Sequence, residues 1–246
     1  MTTARLVTIR FSHYCDKARW ALERKQVPFT EESHVPMVSS LAALSAGDKR
    51  TVPVLVTSAG TFSESQDILA YADRVGTGPT LFPAEHAADI TALCNLFDTR
   101  VGPASRRIAY LYLLDAKDSV RELFRGASQG LERRAAGLLT TLISPIIRRG
   151  LGITPDKAQK SEARMLEVFA QVEARLTDGR KFLTGDTFTA ADLTFAALAA
   201  PALMPPMYLQ KCGVDQTVPP ALAQVVERFR STKAGAFAMH LYATER

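Results

Sequence analysis

Four consecutive residues near the N-terminus, Ser12-His13-Tyr14-Cys15, offer a hydroxyl, an imidazole, a phenol and a thiol. They follow a short β-rich run that ends at Phe11, and the helical spacing of apolar residues begins at Tyr14. The start of a helix presents unpaired amides and the positive end of the helix dipole, which stabilise an anion such as a thiolate. Ser12 is therefore either an ordinary N-cap or a hydrogen-bond donor to a thiolate bound at this helix start.

The next three residues have open interpretations as well. Cys15 lies one turn inside the predicted helix, where a buried and inert thiol is the more usual outcome. Tyr14 is either a second hydroxyl donor or a packed aromatic ring. We expect His13 to face solvent in the turn.

A second motif, Val52-Pro53, opens a predicted strand, and the start of a strand is one of the few places in a sheet that accept proline. A cis peptide bond at this point would leave the Val52 amide and carbonyl free to pair with an extended peptide. A trans proline at a sheet edge is the alternative, and it is the commoner arrangement.

Charged and hydroxyl side chains flank this strand in the sequence. Ser65 starts a predicted helix, where it either caps the helix or also holds a carboxylate, and Glu64 either pairs with an ammonium group or stays at the surface. Together they would fit the head of an amino acid, which carries both charges on one carbon. Lys49-Arg50 offers cations for a second carboxylate, or else is ordinary surface charge.

The elements that must position these residues alternate between strand and helix up to residue 76. Their order, β-α-β-(α)-β-β-α, predicts a small mixed sheet covered by helices. The strands are predicted at 6–11, 30–35, 52–57 and 61–62, and the helices at 14–26, 39–46 and 65–75. Two glycines and two prolines in residues 76–83 then indicate a linker.

After the linker almost all of the sequence is helical, which predicts an antiparallel bundle. The predicted helices cover 86–115, 117–149, 155–178, 190–203 and 219–232. Thr189 and Asp192 have the spacing of a capping box, with Phe188 and Leu193 at the staple positions, so we interpret Asp192 as a buried cap rather than a catalytic acid. The predicted domains are therefore 1–76 and 88–246, joined by a linker at 77–87.

The composition excludes several classes of protein. The 246 residues are 47% hydrophobic and 22% charged, as in ordinary globular proteins. The net charge of +5 comes from scattered basic residues, so we expect no nucleic-acid partner. Prolines interrupt the longest apolar stretch, 193–209, so we expect no membrane span. The three cysteines are widely spaced, so we expect neither a disulfide framework nor a Cys-based zinc site. Met1–Arg5 is not followed by an apolar run, so we expect no signal peptide. We therefore expect a cytoplasmic protein.

The order and spacing of these motifs resemble those of the cytosolic glutathione transferases, in a bacterial-type form with a Ser-x-x-Cys active-site motif. A Ser-x-x-Cys at a helix start, a Val-Pro about 40 residues later and a Glu-Ser 12 residues after that are similar to the family's thioredoxin-like domain. The segment 182–193 resembles the family's capping-box motif, and Leu81-Phe82-Pro83 its interdomain passage. The resemblance covers essentially the whole chain, and it implies an α/β thioredoxin-like domain followed by an all-α helical bundle.

The resemblance also implies a role for each matched residue. Ser12 matches the residue that activates the glutathione thiol. Val52 matches the residue whose backbone pairs with the cysteinyl unit, and Pro53 matches the cis-proline. Glu64 and Ser65 match the pair that holds the γ-glutamyl head.

Two assignments are less sharply matched. Lys49 or Arg50 lies where a basic side chain often meets the glycyl carboxylate. Redox relatives carry a cysteine at the position of Ser12, which makes this chain similar to the Ser-type transferases. Whether Ser12, Tyr14 or Cys15 contacts the thiol stays open.

The implied activity is a transferase whose bound glutathione thiolate attacks a small hydrophobic electrophile, as in detoxification. The electrophile would lie between the domains near Tyr110, Tyr112 and Phe97. Glutathione is then the co-substrate, no metal takes part, and the chain forms a homodimer with no nucleic-acid or membrane partner. Two alternatives are a non-catalytic ligand-binding protein of the same fold, and glutathione-dependent thiol–disulfide exchange through Cys15.

Overall fold

A four-stranded mixed sheet forms the first part of the chain. The computed structural model describes residues 3–47, 49–213 and 218–246; Met1 and Thr2, which open the segment where we expect no signal peptide, lie outside the described residues. The strands are β1 (Ala4–Thr8), β2 (Phe29–Ser33), β3 (Val54–Thr57) and β4 (Gly60–Phe62). They are arranged β2-β1-β3-β4; β1 and β2 run parallel, and the other two pairs are antiparallel.

Helices cover both faces of this sheet because successive strand residues point to opposite sides. The helices are α1 (His13–Arg24), α2 (Val38–Ala46) and α3 (Ser65–Val75). On one face the fully buried Leu6 belongs to the main core together with residues of α1 and α3, and on the other Val7 packs with Val54 and Ala43 of α2. This alternation confirms the predicted β-α-β-(α)-β-β-α order and the α/β class of the first part.

Helices make up nearly all of the second part. They are α4 (Ala87–Leu96), α5 (Gly102–Leu113), α6 (Lys117–Ala127), α7 (Gly130–Arg134), α8 (Ala136–Gly150), α9 (Pro155–Arg175), α10 (Ala190–Leu203), α11 (Pro206–Cys212), α12 (Pro220–Arg230) and α13 (Lys233–Thr244). Helix α10 is buried along its whole length and forms the centre of the bundle. The predicted all-α second part is confirmed.

Two of the predicted helices are broken into shorter ones. The segment predicted as one helix at 86–115 has a π-helical turn, Phe97–Val101, between α4 and α5. The segment 117–149 divides into α6, α7 and α8, and Gly130 has a φ of 52° at the first break, a conformation that favours glycine. A helical repeat of apolar residues continues across such breaks, so the pattern alone did not show them.

Helix α13 was not predicted, and it carries the end of the chain back to α1. Thr232 caps it by accepting a hydrogen bond of 2.9 Å from the Gly235 amide. A Cβ on Gly235 would lie 1.9 Å from the carbonyl oxygen of Phe229, so this close approach requires glycine. At its other end, the Tyr242 hydroxyl donates to Asp16 of α1 at 2.7 Å.

The first half of the segment between the two parts is held by hydrogen bonds to α3 and to the residue after α1. Lys25 Nζ donates to the carbonyl oxygens of Gly78 and Pro79, and the Leu81 amide donates to Asp73 at 2.8 Å. Its place in the chain fits the predicted linker at 77–87, and the exact domain boundaries stay a prediction. Among the described residues no single helix is long and apolar enough to cross a membrane; α10 and α11 pass that test only as a pair, and they are bent apart by 81°.

Candidate active site

Strand register brings the predicted site segments to one end of the sheet. In the antiparallel pair of β1 and β3, Val7 lies opposite Val54, so the chain leaving β1 toward Ser12 passes the chain entering β3 from Val52. Leu55 lies opposite Phe62 in the pair of β3 and β4, so Glu64 follows at the same end. Ser12, Val52 and Glu64 therefore all belong to loops at this edge.

Ser12 is the N-cap of α1. Its backbone is extended, with φ −79° and ψ 124°, and its Oγ accepts a hydrogen bond of 3.5 Å from the Cys15 amide. The side chain is partly exposed, and within residues 3–47, 49–213 and 218–246 its hydroxyl interacts as a donor only with the buried Cys15 thiol, whose pKa it acts to lower. A thiolate bound at the start of the helix would be a stronger acceptor for this proton than the neutral Cys15 thiol.

The remaining polar groups of the motif are turned away from solvent. Cys15 is fully buried, and burial raises the pKa of its thiol to about 11. Tyr14 donates a hydrogen bond of 2.8 Å to the carbonyl oxygen of Asp98, and burial raises the pKa of its hydroxyl to about 12. Of the three predicted catalytic residues, Ser12 alone has a side chain at the wall of the cleft described below.

His13 is 3% exposed, so the expectation that it faces solvent was wrong. Its Nε2 lies 3.0 Å from the carbonyl oxygen of Gly102 at the start of α5. Because a carbonyl only accepts, Nε2 carries the proton. Burial and the nearby Arg106 guanidinium lower the pKa of His13 to about 3, so the imidazole is neutral at pH 7.

The π-helical turn before α5 is where α1 meets the helical part. This turn contains Asp98, whose carbonyl accepts from Tyr14 and whose carboxylate binds Lys17 Nζ at 2.8 and 2.9 Å. A Cβ on Gly102 would lie 2.3 Å from the Tyr14 hydroxyl, so glycine is needed for the close approach. Lys17 Nζ also donates to Gln66 of α3 at 3.1 Å, which fixes α1 between the two parts.

Val52 is partly buried and is joined to the buried Pro53 by a cis peptide bond. Within the described ranges, neither the amide nor the carbonyl of Val52 has a hydrogen-bond partner. Both groups can therefore pair with the backbone of a bound peptide.

The charged residues predicted to bind glutathione partly bind each other. Lys49 Nζ forms an ion pair with Glu64 Oε1, and both side chains are about half exposed. Arg50 is exposed. Ser65 is buried and is the first residue of α3. Glu64 takes the N-cap position, without a hydrogen bond from its side chain to the helix. The expectation that Ser65 caps this helix was therefore wrong by one residue.

A cleft of about 360 Å³ lies between the two parts of the chain beside Ser12. It is lined by Ile9, Ser12, His13, Pro36, Arg106, Tyr110, Ile146, Ile147, Gly150 and Leu151. Its first four residues come from the sheet-bearing part, and the others from α5, α8 and the residue after α8. Its volume falls at the small end of ligand pockets, and its walls are mostly apolar.

Only one of the three aromatic residues proposed for the electrophile lines this cleft. Tyr110 does, and burial raises its pKa to about 12, so its hydroxyl stays protonated. Phe97 is fully buried and packs against Phe195 with ring centroids 5.1 Å apart, so its proposed role was wrong. Tyr112 is partly buried against the core and is not among the lining residues.

Sequence reasoning missed Arg106, His13 and the contribution of α8 to this cleft. Arg106 was among the basic residues that the sequence analysis treated together as scattered charge. A second, enclosed space of about 30 Å³ adjoins the cleft, because His13, Arg106 and Tyr110 line both.

The capping box predicted at the start of α10 is confirmed. Asp192 is fully buried, and its carboxylate accepts from the Leu183 amide at 2.8 Å and from the Thr189 amide at 2.9 Å. Burial raises its pKa to about 6. Among the described residues, the Asp192 carboxylate bonds to groups of Leu183 and Thr189, which lie just before α10. This is expected of a structural cap.

Comparison with known families covers both parts of the chain. Residues 6–79 match the family described as glutathione S-transferase, N-terminal domain, and residues 155–228 match glutathione S-transferase, C-terminal domain. The chain belongs to the glutathione S-transferase family. No curated protein matches its sequence.

Solved structures of several proteins share the whole fold at low identity. Glutathione transferase F7 from Populus trichocarpa is 18% identical over 96% of this chain and 99% of its own, with a TM-score of 0.59. A glutathione S-transferase from Methylobacterium radiotolerans, solved with glutathione sulfonate, is 19% identical over 96% and 94%, with a TM-score of 0.53. Beta-etherase LigF from Sphingobium sp. strain SYK-6 is 15% identical over 97% and 99%, with a TM-score of 0.60.

Proposed function

We propose that this protein is a glutathione transferase in which Ser12 activates the glutathione thiol for attack on a small hydrophobic electrophile. The observation that carries the proposal is the position of Ser12. It is the N-cap of α1, its hydroxyl bonds only to Cys15 of its own helix among the described residues, and it lines a mostly apolar cleft. The glutathione sulfonate in the Methylobacterium radiotolerans relative supports glutathione as the co-substrate.

The binding of glutathione would use the loops at the sheet edge. The unpaired amide and carbonyl of Val52 would pair with the cysteinyl unit, and Ser65 at the start of α3 would hold the γ-glutamyl carboxylate. Glu64 would pair with the γ-glutamyl ammonium, and Lys49 or Arg50 with the glycyl carboxylate. Glu64 would then exchange its ion pair with Lys49 for the ligand, at small cost because exposed ion pairs contribute about 0–1 kcal/mol.

The chemistry is nucleophilic substitution or addition by a thiolate. A hydrogen bond to a charged group contributes about 1.5–3 kcal/mol, which corresponds to a decrease of about 1–2 units in the thiol pKa. The helix dipole of α1 acts in the same direction. Tyr14 and Cys15 support the start of α1 in this proposal, since the hydroxyl of one is engaged by Asp98 and the thiol of the other is buried.

Steady-state conjugation kinetics test the proposal on a panel of neutral aryl halides and other electrophiles. We expect Ser12→Ala to lower kcat about 10–100-fold, the rate equivalent of about 1.5–3 kcal/mol. We expect Ser65→Ala to raise the KM for glutathione with a smaller effect on kcat. Ser45→Ala is the matched control, because Ser45 is exposed on α2 and, among the described residues, bonds only to Ala42 of its own helix. Unchanged kinetics in Ser12→Ala would contradict the proposal.

One alternative, a binding protein of the same fold, gives a different result in the same experiment. Wild-type protein would then bind glutathione, as measured by calorimetry, without turnover on any electrophile of the panel. Homodimer formation, a cytoplasmic location and a role in detoxification remain parts of the proposal and need separate measurements, beginning with the mass in solution.

A further inference from the structure

Arg106 lies at the boundary between the cleft and the smaller apolar space beside it. It is partly buried on α5 and lines both. Its guanidinium forms no hydrogen bond or ion pair with any residue in the described ranges 3–47, 49–213 and 218–246. An arginine in this position loses part of its hydration without a protein anion to replace it.

The titratable rings close to Arg106 are neutral at pH 7. The charge of Arg106 helps to lower the pKa of His13. It also lowers the pKa of Tyr14 and of Tyr110, although burial raises both by more. The guanidinium therefore lies close to all three rings. The imidazole is neutral, and both phenols stay protonated. Of the described residues that line the cleft, Arg106 alone therefore carries a charge.

The next cations along this surface increase the positive potential. Burial lowers the pKa of Arg107, and the charges of Arg106 and Arg164 lower it further. Arg107 donates to Ser161 Oγ at 2.9 Å, and its buried Nε has no partner among the described residues. On α8, Arg148 is paired with Asp115 and Arg149 is exposed. Arg106 therefore has further positive charge beside it on α5, and no carboxylate of the described residues lines the cleft.

We propose that the electrophile of this enzyme carries an anionic group, in the first place a carboxylate, which Arg106 binds while the apolar walls hold the rest of the molecule. The inference rests on the proposed function and names the substrate class of the same site. A guanidinium presents its donors in a planar fork that fits a carboxylate with two parallel hydrogen bonds. The mostly apolar walls provide few competing polar groups beside Arg106, which strengthens such a pair.

With an aryl chloride as electrophile, the reaction balances as follows. The glutathione thiol loses its proton to solvent, and the thiolate sulfur forms a bond to the ring carbon that carries chlorine. The carbon–chlorine bond breaks, and chloride leaves with the electron pair. The carboxylate on the ring takes no part in these bonds and serves only for recognition by Arg106.

The first test measures binding without turnover. Calorimetry with 3,5-dinitrobenzoate and 3,5-dinitrobenzamide, in protein saturated with glutathione, compares a carboxylate with its neutral amide on one ring. We expect wild type to bind the acid at least tenfold more tightly, and we expect this preference to disappear in Arg106→Gln. Arg149→Gln removes the same charge outside the cleft and should keep the preference. Because Arg106 has no hydrogen bond or ion pair to lose among the described residues, the variant should fold as wild type does.

The second test uses reactive versions of the same pair, 4-chloro-3,5-dinitrobenzoate and 4-chloro-3,5-dinitrobenzamide. We expect Arg106→Gln to raise the KM for the acid at least tenfold and to change kcat/KM for the amide less than threefold. Equal affinity for acid and amide in wild type, or a preference that survives Arg106→Gln, overturns this inference. An equal loss on both substrates also overturns it, since Arg106 would then act on the thiolate. Absence of conjugation in wild type overturns the proposed function instead, while the binding test still decides the role of Arg106.

Discussion

The hydroxyl of Tyr14 donates a hydrogen bond of 2.8 Å to the carbonyl oxygen of Asp98, from the start of α1 to the π-helical turn that precedes α5. The phenol of Tyr14, two residues after Ser12, thus stabilises the contact between the two parts of the chain. The two hydroxyls of the motif therefore have different roles: that of Tyr14 bonds to the helical part, and that of Ser12 lies at the cleft.

Tyr14→Phe should therefore affect stability more than catalysis. The substitution leaves the Asp98 carbonyl without its donor, which costs about 1–2 kcal/mol. Urea unfolding measures this loss. Conjugation by the folded variant should stay within about threefold of wild type, because no catalytic hydrogen bond is removed. A loss of turnover as large as that of Ser12→Ala, with stability unchanged, would assign the thiol contact to Tyr14 instead.

Cys15 should not exchange disulfides in the native protein. Its thiol is fully buried and its pKa is raised to about 11, so the thiolate needed for exchange is scarce and inaccessible at pH 7. Intact-mass spectrometry after incubation with oxidised glutathione should show no adduct under native conditions. The same incubation in urea, where the thiols are exposed, is the positive control. A native adduct that disappears in Cys15→Ala would support thiol–disulfide exchange.

His13 should make the protein less stable at acid pH. Its pKa is lowered to about 3 in the folded state, whereas the unfolded chain takes up the proton near pH 6.5. The unfolded state then binds more protons below about pH 6.5, so the free energy of unfolding falls by about 1.4 kcal/mol per pH unit from this group. His13→Gln keeps a donor for Gly102 and should give a flatter profile between about pH 6.5 and 4. Parallel profiles for the two proteins would contradict the prediction.

His34 should make the protein more stable at acid pH, which is the opposite of the effect of His13. Burial alone would lower its pKa, but hydrogen bonds of 2.7 Å to Glu132 on α7 and 2.9 Å to Glu32 raise it. The raised pKa stabilises the folded protein below about pH 6.5, and this contribution is lost as pH rises through the folded-state pKa.

The unfolding free energies of wild type and His34→Gln, measured from below to above about pH 6.5, give the contribution of His34. The difference in unfolding free energy should shrink by about 1 kcal/mol toward alkaline pH, the scale of a partly exposed charged hydrogen bond. A difference that is constant with pH would show that folding leaves the pKa of His34 unchanged, and would contradict the prediction.

Local sequence signals were sufficient for much of the fold. The bounds of α3 and α10 agree with the prediction, because each has clear limits: a Gly-rich linker after Val75 and a capping box at Thr189. The order of strands and helices along the first part of the chain also followed from short apolar runs. These features depend on residues a few positions apart, which a single sequence displays directly.

The site was harder to predict because its geometry depends on distant contacts. His13 meets Gly102, 89 residues later, and no local pattern shows that α5 packs over the start of α1. Arg106 has the sequence context of a surface residue, and its place at the cleft follows only from that packing. The breaks around α7 were missed because an apolar helical repeat continues across them.

The pKa of the bound glutathione thiol tests the role of Ser12 most directly. Ultraviolet difference spectroscopy follows thiolate absorbance as pH is varied, with saturating glutathione on wild type, Ser12→Ala and the control Ser45→Ala. We predict that the bound thiol of wild type and of Ser45→Ala titrates well below free glutathione, and that Ser12→Ala raises this pKa by about 1–2 units, as expected for one charge-assisted hydrogen bond. Equal thiol pKa values in wild type and Ser12→Ala, at full glutathione occupancy, would contradict the assignment of Ser12 as the activating residue.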